Sequence, residues 1–211
     1  MCEKIFVTGI DTEVGKTIIS AVLVEAMVAD YWKPIQAGDL DYSDTMKVRD
    51  LVSNDTSVFF EENYRLKTPA SPHLAARLDD LSISMEQINA PRTSNNLIIE
   101  GAGGLMVPIN DEGDFILDLV EKMATKIVLV SKNYLGSINH TVSAFEMLKS
   151  RGLKVDLLVF SGHTNFETES IIEKHILPKS VLKFPFFEQL NSRVINEFAC
   201  NNKKLIFSGF S

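Results

Sequence analysis

The sequence predicts an α/β fold in three layers, with helices on both faces of a mostly parallel central sheet. Two observations lead to this prediction: short apolar segments alternate with longer stretches of helical periodicity, and the apolar segments are nearly continuous. Strands that alternate with helices form βαβ units and a parallel sheet. Nearly continuous apolar runs are typical of parallel strands that are covered on both faces.

The individual elements follow from the same patterns. Clear strands are predicted at residues 4–8, 96–100, 126–131 and 155–161. Weaker strand predictions fall at 31–35 and 181–184, with a possible last strand at 205–208. Helical spacing of apolar residues predicts helices at 16–29, 137–150 and 165–175. Ligands of such sheets bind beyond the carboxyl ends of the strands, so functional residues are sought there.

Length and composition agree with an ordinary globular protein. The chain has 211 residues, without an internal repeat or a low-complexity linker, and we expect one domain over residues 1–211. Its 21 Lys+Arg and 28 Asp+Glu give a formal net charge of −7. An acidic chain without a basic stripe argues against a nucleic-acid partner.

Membrane and secretory signals are not apparent in the sequence. The longest apolar run, Ile127-Val-Leu-Val130, is far shorter than a membrane span needs, so we expect no membrane partner. Residues 1–15 lack the pattern of a signal peptide. Cys2 and Cys200 are too few for a disulfide framework and indicate free thiols. These features favour a cytoplasmic protein.

A glycine-rich turn follows the first predicted strand. It reads Gly9-Ile-Asp-Thr-Glu-Val-Gly15-Lys16-Thr17 and leads into a predicted helix, with five residues between the glycines. The common phosphate-binding loop has four residues there, but its order of strand, turn and helix is the same. Backbone N–H groups would bind phosphate, Lys16 would reach the β- and γ-phosphates, and the Thr17 hydroxyl would hold Mg²⁺. The fold prediction is therefore of the P-loop NTPase type.

This turn resembles the phosphate loop of the dethiobiotin synthetase family, including its extra residue. Further segments resemble that family in the same order: Trp32-Lys-Pro-Ile35, Ser43-Asp44, Ser71-Pro-His73, Glu100-Gly-Ala-Gly-Gly104 and Leu135-Gly-Ser-Ile-Asn-His140. Together they extend over residues 4–140, and the last third matches mainly by its strand–helix pattern. An ordered set of motifs is more specific than any one of them.

The resemblance implies a reaction of biotin biosynthesis. An enzyme of this family uses CO₂ or bicarbonate, ATP and Mg²⁺ to close a cyclic urea on 7,8-diaminononanoate. One amine captures CO₂ as a carbamate, whose oxygen attacks the γ-phosphate of ATP. The second amine then displaces phosphate from the carbamic-phosphoric anhydride, which gives dethiobiotin, ADP and phosphate. The resemblance also implies a homodimer with the substrate site near the subunit interface.

The resemblance assigns residues to the nucleotide and the metal. Lys16 and Lys33 are expected to be catalytic, by stabilising charge on the transferred phosphoryl group. Thr17, Asp44 and Glu100 are the expected Mg²⁺ ligands, since hard oxygens suit this ion. The expected nucleotide contacts are Glu13, Val14, Gly15, Lys16, Thr17, Ile18, Asp44, Glu100, Gly101, Ala102, Gly103, Ser161, Gly162, Pro185, Phe186 and Phe187. Structural roles compete at two places, because Ser43-Asp44 also suits a helix N-terminus and the Phe184–Phe187 stretch also suits a core.

Substrate contacts are expected from another set: Thr12, Lys33, Ala37, Pro72, Gly136, Ser137 and Asn139. The last three precede or begin a predicted helix, whose N–H groups would suit the substrate carboxylate. In the family this loop reaches across the homodimer interface, although the same pattern also suits a simple helix cap. His73 and His140 match family positions, and we expect hydrogen bonding rather than catalysis from both.

The sequence departs from the family at three places. Ala37 stands where the family commonly has a Ser or Thr that contacts substrate. The segment between the first helix and Lys33 looks shorter than usual, which would alter the second strand. Ser161-Gly162 stands where an Asn-Asp pair commonly reads the adenine edge, so we expect weak discrimination between bases, with ATP as the physiological donor.

Two other functions of P-loop proteins compete with the synthetase as interpretations of the sequence. A different carboxylate-activating P-loop synthetase would be favoured by a glutaminase domain with a nucleophilic Cys, and neither Cys2 nor Cys200 has such a setting. A partition-type ATPase normally carries an additional lysine early in the phosphate loop, whereas residues 10–14 contain none. The sequence therefore favours the synthetase.

Overall fold

A six-stranded parallel sheet forms the centre of the computed structural model, which describes residues 2–211. The strands are β1 (Lys4–Gly9), β2 (Asp30–Trp32), β3 (Ile35–Ala37), β4 (Tyr64–Leu66), β5 (Leu97–Gly104), β6 (Lys126–Lys132), β7 (Leu157–Gly162) and β8 (Val181–Pro185). The helices are α1 (Lys16–Met27), α2 (Asp44–Leu51), α3 (Pro72–Leu78), α4 (Ile116–Met123), α5 (Ser137–Ser150), α6 (Phe166–Ile176) and α7 (Ser192–Phe210). The main sheet has the order β2-β5-β1-β6-β7-β8, and β3 pairs with β4 in a separate parallel ribbon.

Helices cover both faces of the main sheet, as predicted. Side chains alternate along a strand, so Ile5 and Val7 of β1 pack in one apolar layer while Phe6 packs in the other. The layer of Ile5 and Val7 contains buried residues of α1, α2 and α7, and the layer of Phe6 contains those of α3, α4, α5 and α6. This arrangement confirms the predicted three-layer architecture.

The central position of β1 determines where a ligand can bind. This strand pairs with β5 on one side and β6 on the other, and Phe6 lies opposite both Ile99 and Ile127. The turn after β1 therefore lies between the ends of two neighbouring strands. Residues that follow β1 and β5 meet at the same edge of the sheet.

The predicted strand at 31–35 is interrupted in the structure. The short strand β2 ends at Trp32, and the chain resumes as β3 in the small ribbon after Lys33 and Pro34. Proline has no N–H to donate to a ladder of strands, so the pairing with β5 stops before it. Lys33 thus lies where the chain leaves the main sheet.

The predicted strand at 205–208 is wrong. These residues belong to α7, which begins after Asn191, whose side chain accepts a hydrogen bond from the Val194 N–H at 3.1 Å. Ile195, Ala199 and Ile206 are buried on one side of this helix. Their spacing is helical, whereas the short apolar run around 206 by itself does not distinguish a strand from a helix.

The remaining predictions agree with the structure apart from their ends. The strands expected at 4–8, 96–100, 126–131, 155–161 and 181–184 correspond to β1, β5, β6, β7 and β8, and the helices expected at 16–29, 137–150 and 165–175 correspond to α1, α5 and α6. The shorter helices α2, α3 and α4 and the strand β4 were not predicted as elements. Within residues 2–211, no helix has the length and apolar character that a membrane crossing requires.

Candidate active site

The main cleft lies at the carboxyl ends of β1, β2 and β5. It has a volume of about 1110 Å³ and is bordered by the phosphate loop, β3, the beginnings of α2 and α3, and the end of β5. The predicted site residues that line it are Thr12, Glu13, Gly15, Lys16, Thr17, Ile18, Lys33, Ala37, Asp44, Pro72, Glu100, Ala102 and Gly103. Segments that are far apart in the sequence therefore contribute to one cleft. Thr17 and Glu100, for example, are hydrogen bonded although they are 83 residues apart.

Gly15 gives the phosphate loop its shape. This residue precedes α1 with φ +99°, in the left-handed region that favours glycine. A Cβ atom at this position would lie 2.6 Å from the Ser161 Oγ atom at the end of β7. Both the backbone angle and the close approach of Ser161 therefore require glycine.

Lys16 is held inside the loop that it follows. Its side chain is buried, and its Nζ atom donates to the Asp11 carbonyl oxygen at 2.8 Å. Burial lowers the pKa of Lys16 to about 8, partly opposed by Glu100, while the positive charge of nearby Lys33 lowers it further. Nearby negative charges thus offset only part of the cost of burying this ammonium, which suits a group that binds phosphate.

Lys33 connects two acidic residues from different elements. Its Nζ atom donates to Asp44 Oδ2 at 2.5 Å and to Glu100 Oε1 at 3.0 Å, and the lysine is buried. Burial would lower the pKa of Lys33, but Glu100 and Asp44 outweigh it and raise the pKa above its ordinary value. An ammonium has three N–H donors, so one remains for a ligand in the cleft.

Glu100 is the most buried of the acidic groups in the cleft. Besides Lys33, its Oε1 atom accepts from the Thr17 hydroxyl at 2.9 Å, and its Oε2 atom accepts from the Tyr31 hydroxyl at 2.9 Å. Burial and the negative charge of Glu100 raise the pKa of Tyr31 well above its ordinary value, so this hydroxyl stays protonated and donates. These partners fix the orientation of the carboxylate.

Asp44 is the first residue of α2 and uses its side chain in the cleft rather than as a helix cap. Its Oδ1 atom accepts from Lys47 Nζ at 3.2 Å, and Lys33 binds the other oxygen. Burial would raise the pKa of Asp44, but Lys33 and Lys47 hold it below its ordinary value. The Asp44 backbone N–H donates to Gln36 Oε1 at 3.2 Å.

The oxygen donors near Lys33 suit a magnesium ion. Thr17, Asp44 and Glu100 supply a hydroxyl and two carboxylates, and Thr17 already contacts Glu100. No group of three or more His, Cys, Asp or Glu side chains with metal-binding geometry occurs in residues 2–211. Mg²⁺ commonly takes one or two carboxylates together with phosphate oxygens and water, so this smaller donor set is the one expected beside a nucleotide.

Several predicted residues lie around the cleft without lining it. Val14 is buried in the core beneath the phosphate loop. Gly101 lies within β5, where a Cβ atom would be 3.0 Å from Phe6 Cε1. Both support the shape of the site and present no side chain to the cleft.

The residues predicted to meet the nucleotide base lie two and three strands away from β1. Gly162 of β7 is paired with Pro185 of β8, and His163 is stacked on the exposed ring of Phe186 at a centroid distance of 4.5 Å. Phe187 instead packs against buried Phe184. The aromatic stretch is therefore divided between the core and an exposed stacked pair.

The loop before α5 lies outside the cleft. Gly136 precedes the helix with φ +103°, and Ser137 is fully buried, with its Oγ accepting from the Tyr134 N–H at 3.4 Å. Asn139 and Leu135 are exposed, the latter completely. Gly136 thus begins the helix, and only Asn139 among the three predicted residues presents its side chain outward.

The histidines hydrogen bond as expected. His73 Nδ1 lies 3.1 Å from the Ser71 Oγ, and His140 Nδ1 lies 2.7 Å from the Tyr134 hydroxyl. Neither histidine lines the main cleft.

Sequence reasoning missed several polar groups of the site. The side chains that it missed are those of Tyr31, Gln36, Asp39 and Lys47. Lys47 could have been found from the sequence, because a lysine three residues after Asp44 lies on the same side of a helix. No local pattern in the sequence points to Tyr31, since its partner Glu100 is 69 residues away.

The chain is similar in sequence to proteins of known family. A family model described as "AAA domain" matches residues 3–193. The chain is 48% identical over 202 residues to the ATP-dependent dethiobiotin synthetase BioD of Christiangramia forsetii, covering 94% of this chain and 95% of that protein. It is 43% identical to the protein of the same name from Cytophaga hutchinsonii (93% and 95% covered) and 39% identical to that of Brucella ovis (96% and 95% covered).

Solved structures resemble the fold at low sequence identity. A putative plasmid partition protein from Borrelia burgdorferi bound to AMPPNP superposes with a TM-score of 0.55 at 10% identity, covering 100% of this chain and 98% of that chain. A ParA family ATPase from Chlorobium tepidum gives a TM-score of 0.50 at 15% identity, with 94% and 98% covered. These likenesses concern the fold alone and agree with the predicted P-loop type.

The lowered pKa of Lys16 predicts a pH dependence of nucleotide binding. Phosphate favours the ammonium form, so the affinity for ADP should be highest below the free pKa of about 8 and decrease as pH rises through it. The decrease approaches tenfold per pH unit until the pKa of the bound form is reached. Titration calorimetry with ADP between about pH 7 and pH 9.5 at constant ionic strength measures it.

The matched control for this measurement is Lys16→Ala. This variant should bind ADP more weakly and with a flatter pH profile, since the titrating group is gone. An ADP affinity of the unaltered protein that stays constant across this interval would contradict the assignment.

Proposed function

The chain belongs to the family of ATP-dependent dethiobiotin synthetases, and we propose that it closes the cyclic urea of dethiobiotin on 7,8-diaminononanoate with CO₂ and ATP. It is a ligase of biotin biosynthesis. We propose the route through a carbamate and a carbamic-phosphoric anhydride, which releases ADP and phosphate.

The observation that carries the proposal is the placement of Lys33. Its ammonium lies between Asp44 and Glu100 in the same cleft as the phosphate loop, and one N–H remains free. A carbamate oxygen and a γ-phosphate must approach each other although both are negatively charged. A buried ammonium whose two neighbours keep it protonated reduces this repulsion without reorganising during the reaction.

Lys16 and the backbone of the loop act from the phosphate side. The N–H groups that begin α1 would bind the β-phosphate, and Lys16 would exchange the Asp11 carbonyl for phosphate oxygens. Lys33 would bind the carbamate oxygen and the γ-phosphate. We assign both lysines as catalytic, since each would touch the transferred group.

We propose that Mg²⁺ is held by Thr17, Asp44 and Glu100 together with the phosphates of ATP. When bound, the ion neutralises charge on the β- and γ-phosphates. Glu100 keeps its orientation through Tyr31, whose hydroxyl binds the oxygen that does not contact Thr17. Asp44 reaches the same region from the beginning of α2.

The diamine would occupy the part of the cleft between the phosphate loop and α3. Thr12, Ala37 and Pro72 line this part, and they combine a hydroxyl with apolar surface for an aliphatic chain. The Ala37 side chain has no hydrogen-bonding group for the substrate. Gln36 does not replace it, because its side chain is buried and bonded to Gly38 and Asp44.

We propose a homodimer in which the loop before α5 meets the substrate of the neighbouring subunit. The exposure of Leu135 and Asn139 supports this proposal, since both project away from their own subunit's core. The fully exposed apolar side chain of Leu135 would be buried by a second subunit. Sedimentation equilibrium of the purified protein should give the mass of a dimer, and a monomer at micromolar concentration would contradict the proposal.

The reaction is tested with purified protein, 7,8-diaminononanoate, bicarbonate, Mg²⁺ and ATP. Mass spectrometry should detect dethiobiotin, with stoichiometric phosphate release. Lys33→Ala should reduce kcat by about 100- to 1000-fold, because a preorganised donor to a developing negative charge is lost. ADP binding and thermal unfolding of the variant control for misfolding, since removing Lys33 leaves the buried Glu100 carboxylate without its charged partner. ATP hydrolysis without dethiobiotin would refute the proposed reaction.

We expect the protein to discriminate only weakly between nucleotide bases. Ser161 is buried against the phosphate loop and Gly162 has no side chain, so neither offers an amide to the adenine edge. Turnover with ATP, GTP, CTP and UTP at equal concentrations should therefore differ by less than about tenfold, which is near the largest factor that the net free energy of one neutral hydrogen bond supplies. A strong preference for ATP would disprove this expectation.

A further inference from the structure

Glu62 binds both neighbours of Asp44. Its Oε1 atom accepts from the Thr45 hydroxyl at 2.6 Å and from the Ser43 hydroxyl at 3.1 Å. Asp44 lies between these two residues at the beginning of α2. One carboxylate oxygen thus fixes the backbone on each side of the acidic residue that contacts Lys33.

The other oxygen of Glu62 is fixed as well. Arg65 Nη1 donates to Glu62 Oε2 at 2.6 Å, and Arg65 Nη2 donates to the Leu40 carbonyl oxygen at 3.2 Å. The Glu62 side chain is only 2% exposed. Burial would raise its pKa, but the hydrogen bonds from Thr45 and Arg65 hold it below the ordinary value. Glu62 is therefore a buried, ionised acceptor without a direct part in the proposed chemistry.

The hydrogen bond of Ser43 argues that this cluster does more than stabilise a helix. Ser43 occupies the N-cap position of α2, where a serine hydroxyl normally accepts from a backbone N–H of the first turn. Here the side chain makes no such bond and donates to Glu62 instead. The helix thus forgoes its usual cap, and the hydroxyl fixes the position of its N-terminus relative to Glu62.

Fixing this N-terminus fixes Asp44. The Asp44 N–H binds Gln36, its neighbours bind Glu62, and its side chain reaches Lys33. Since α2 starts at Asp44, a small rotation of the first turn would move its carboxylate away from Lys33 and Glu100.

We propose that Glu62 is a positioning residue that holds Asp44 where the metal–nucleotide complex requires it. The proposal rests on the role of Asp44 as a Mg²⁺ ligand given under the proposed function. Removing a group that orients a metal ligand typically weakens metal affinity by 10- to 100-fold, which separates this role from a purely structural one.

The chain offers a matched control at the other end of α2. The Glu25 carboxylate accepts from the Ser53 N–H at 2.6 Å, the Ser53 hydroxyl at 2.8 Å and Asn196 Nδ2 at 2.8 Å. Glu25 therefore ties the segment after α2 to α1 and α7 as Glu62 ties the segment before it. Its contacts lie away from the residues that line the cleft.

The experiment titrates Mn²⁺ into the full chain in the presence of ADP and follows free Mn²⁺ by electron paramagnetic resonance. Glu62→Ala should weaken Mn²⁺ binding by about tenfold or more. Glu62→Gln keeps an acceptor oxygen of the same reach and should recover most of the affinity. Glu25→Ala should lower the melting temperature as Glu62→Ala does and leave Mn²⁺ affinity unchanged. Thr45→Val, which removes only one donor, provides a folded variant if Glu62→Ala does not fold.

The outcomes separate this proposal from the proposed function. If Asp44→Asn leaves Mn²⁺ affinity unchanged, Asp44 is no metal ligand and the positioning role fails with that assignment. If Asp44→Asn weakens binding but Glu62→Ala and Thr45→Val bind Mn²⁺ as Glu25→Ala does, the metal assignment stands and the positioning role is overturned. Weakening in the Glu62 and Thr45 variants, with recovery in Glu62→Gln, supports it.

Discussion

The buried contact of Lys33 with Asp44 and Glu100 is the interaction on which the candidate site depends. It connects the residue after β2, the beginning of α2 and the middle of β5, so that a helix is joined to two strands already paired in the main sheet. Burying a charge is costly unless it is paired, so the three groups constrain one another. Removing one partner of such a buried pair typically costs about 3–5 kcal/mol, because an uncompensated charge is left. The same pairing raises the pKa of Lys33 and keeps its ammonium protonated in the cleft.

Further hydrogen bonds surround this contact and orient its charged groups. Tyr31 fixes the free oxygen of Glu100, Gln36 binds the backbone at Asp44, and Glu62 holds both neighbours of Asp44. In each case a polar atom in the interior has a partner, as buried polar groups require. The charged groups of the cleft are thereby oriented before any ligand arrives, which is the condition for electrostatic catalysis.

The sequence allowed the phosphate loop to be predicted because Gly15, Lys16 and Thr17 are contiguous and their order has one structural meaning. Glu100 could be predicted for a different reason, since an acidic residue that ends an apolar run of the sequence has no role in packing. Tyr31 and Glu62 escaped prediction because each acts through partners 17 to 69 residues away, and nothing local indicates which partner a buried polar group will find. The prediction of a strand at 205–208 was wrong because the three-residue apolar run Leu205–Phe207 is too short to show a period, whereas the burial of Ile195, Ala199 and Ile206 follows helical spacing.

The break at Pro34 divides the walls of the cleft between two separate sheets. The six-stranded sheet carries the phosphate loop and Glu100, and its register is set by pairing that continues through β1, β5 and β6. The small ribbon of β3 and β4 is joined to it through Lys33 and Pro34, and it carries Ala37 on the wall of the cleft. Insertions or deletions between residues 38 and 63 would leave the pairing of β1 with β5 unchanged but would alter both Ala37's surroundings and the position of Asp44, which lies in this segment. Acceptor preference and metal binding would therefore change together when the length of this segment changes.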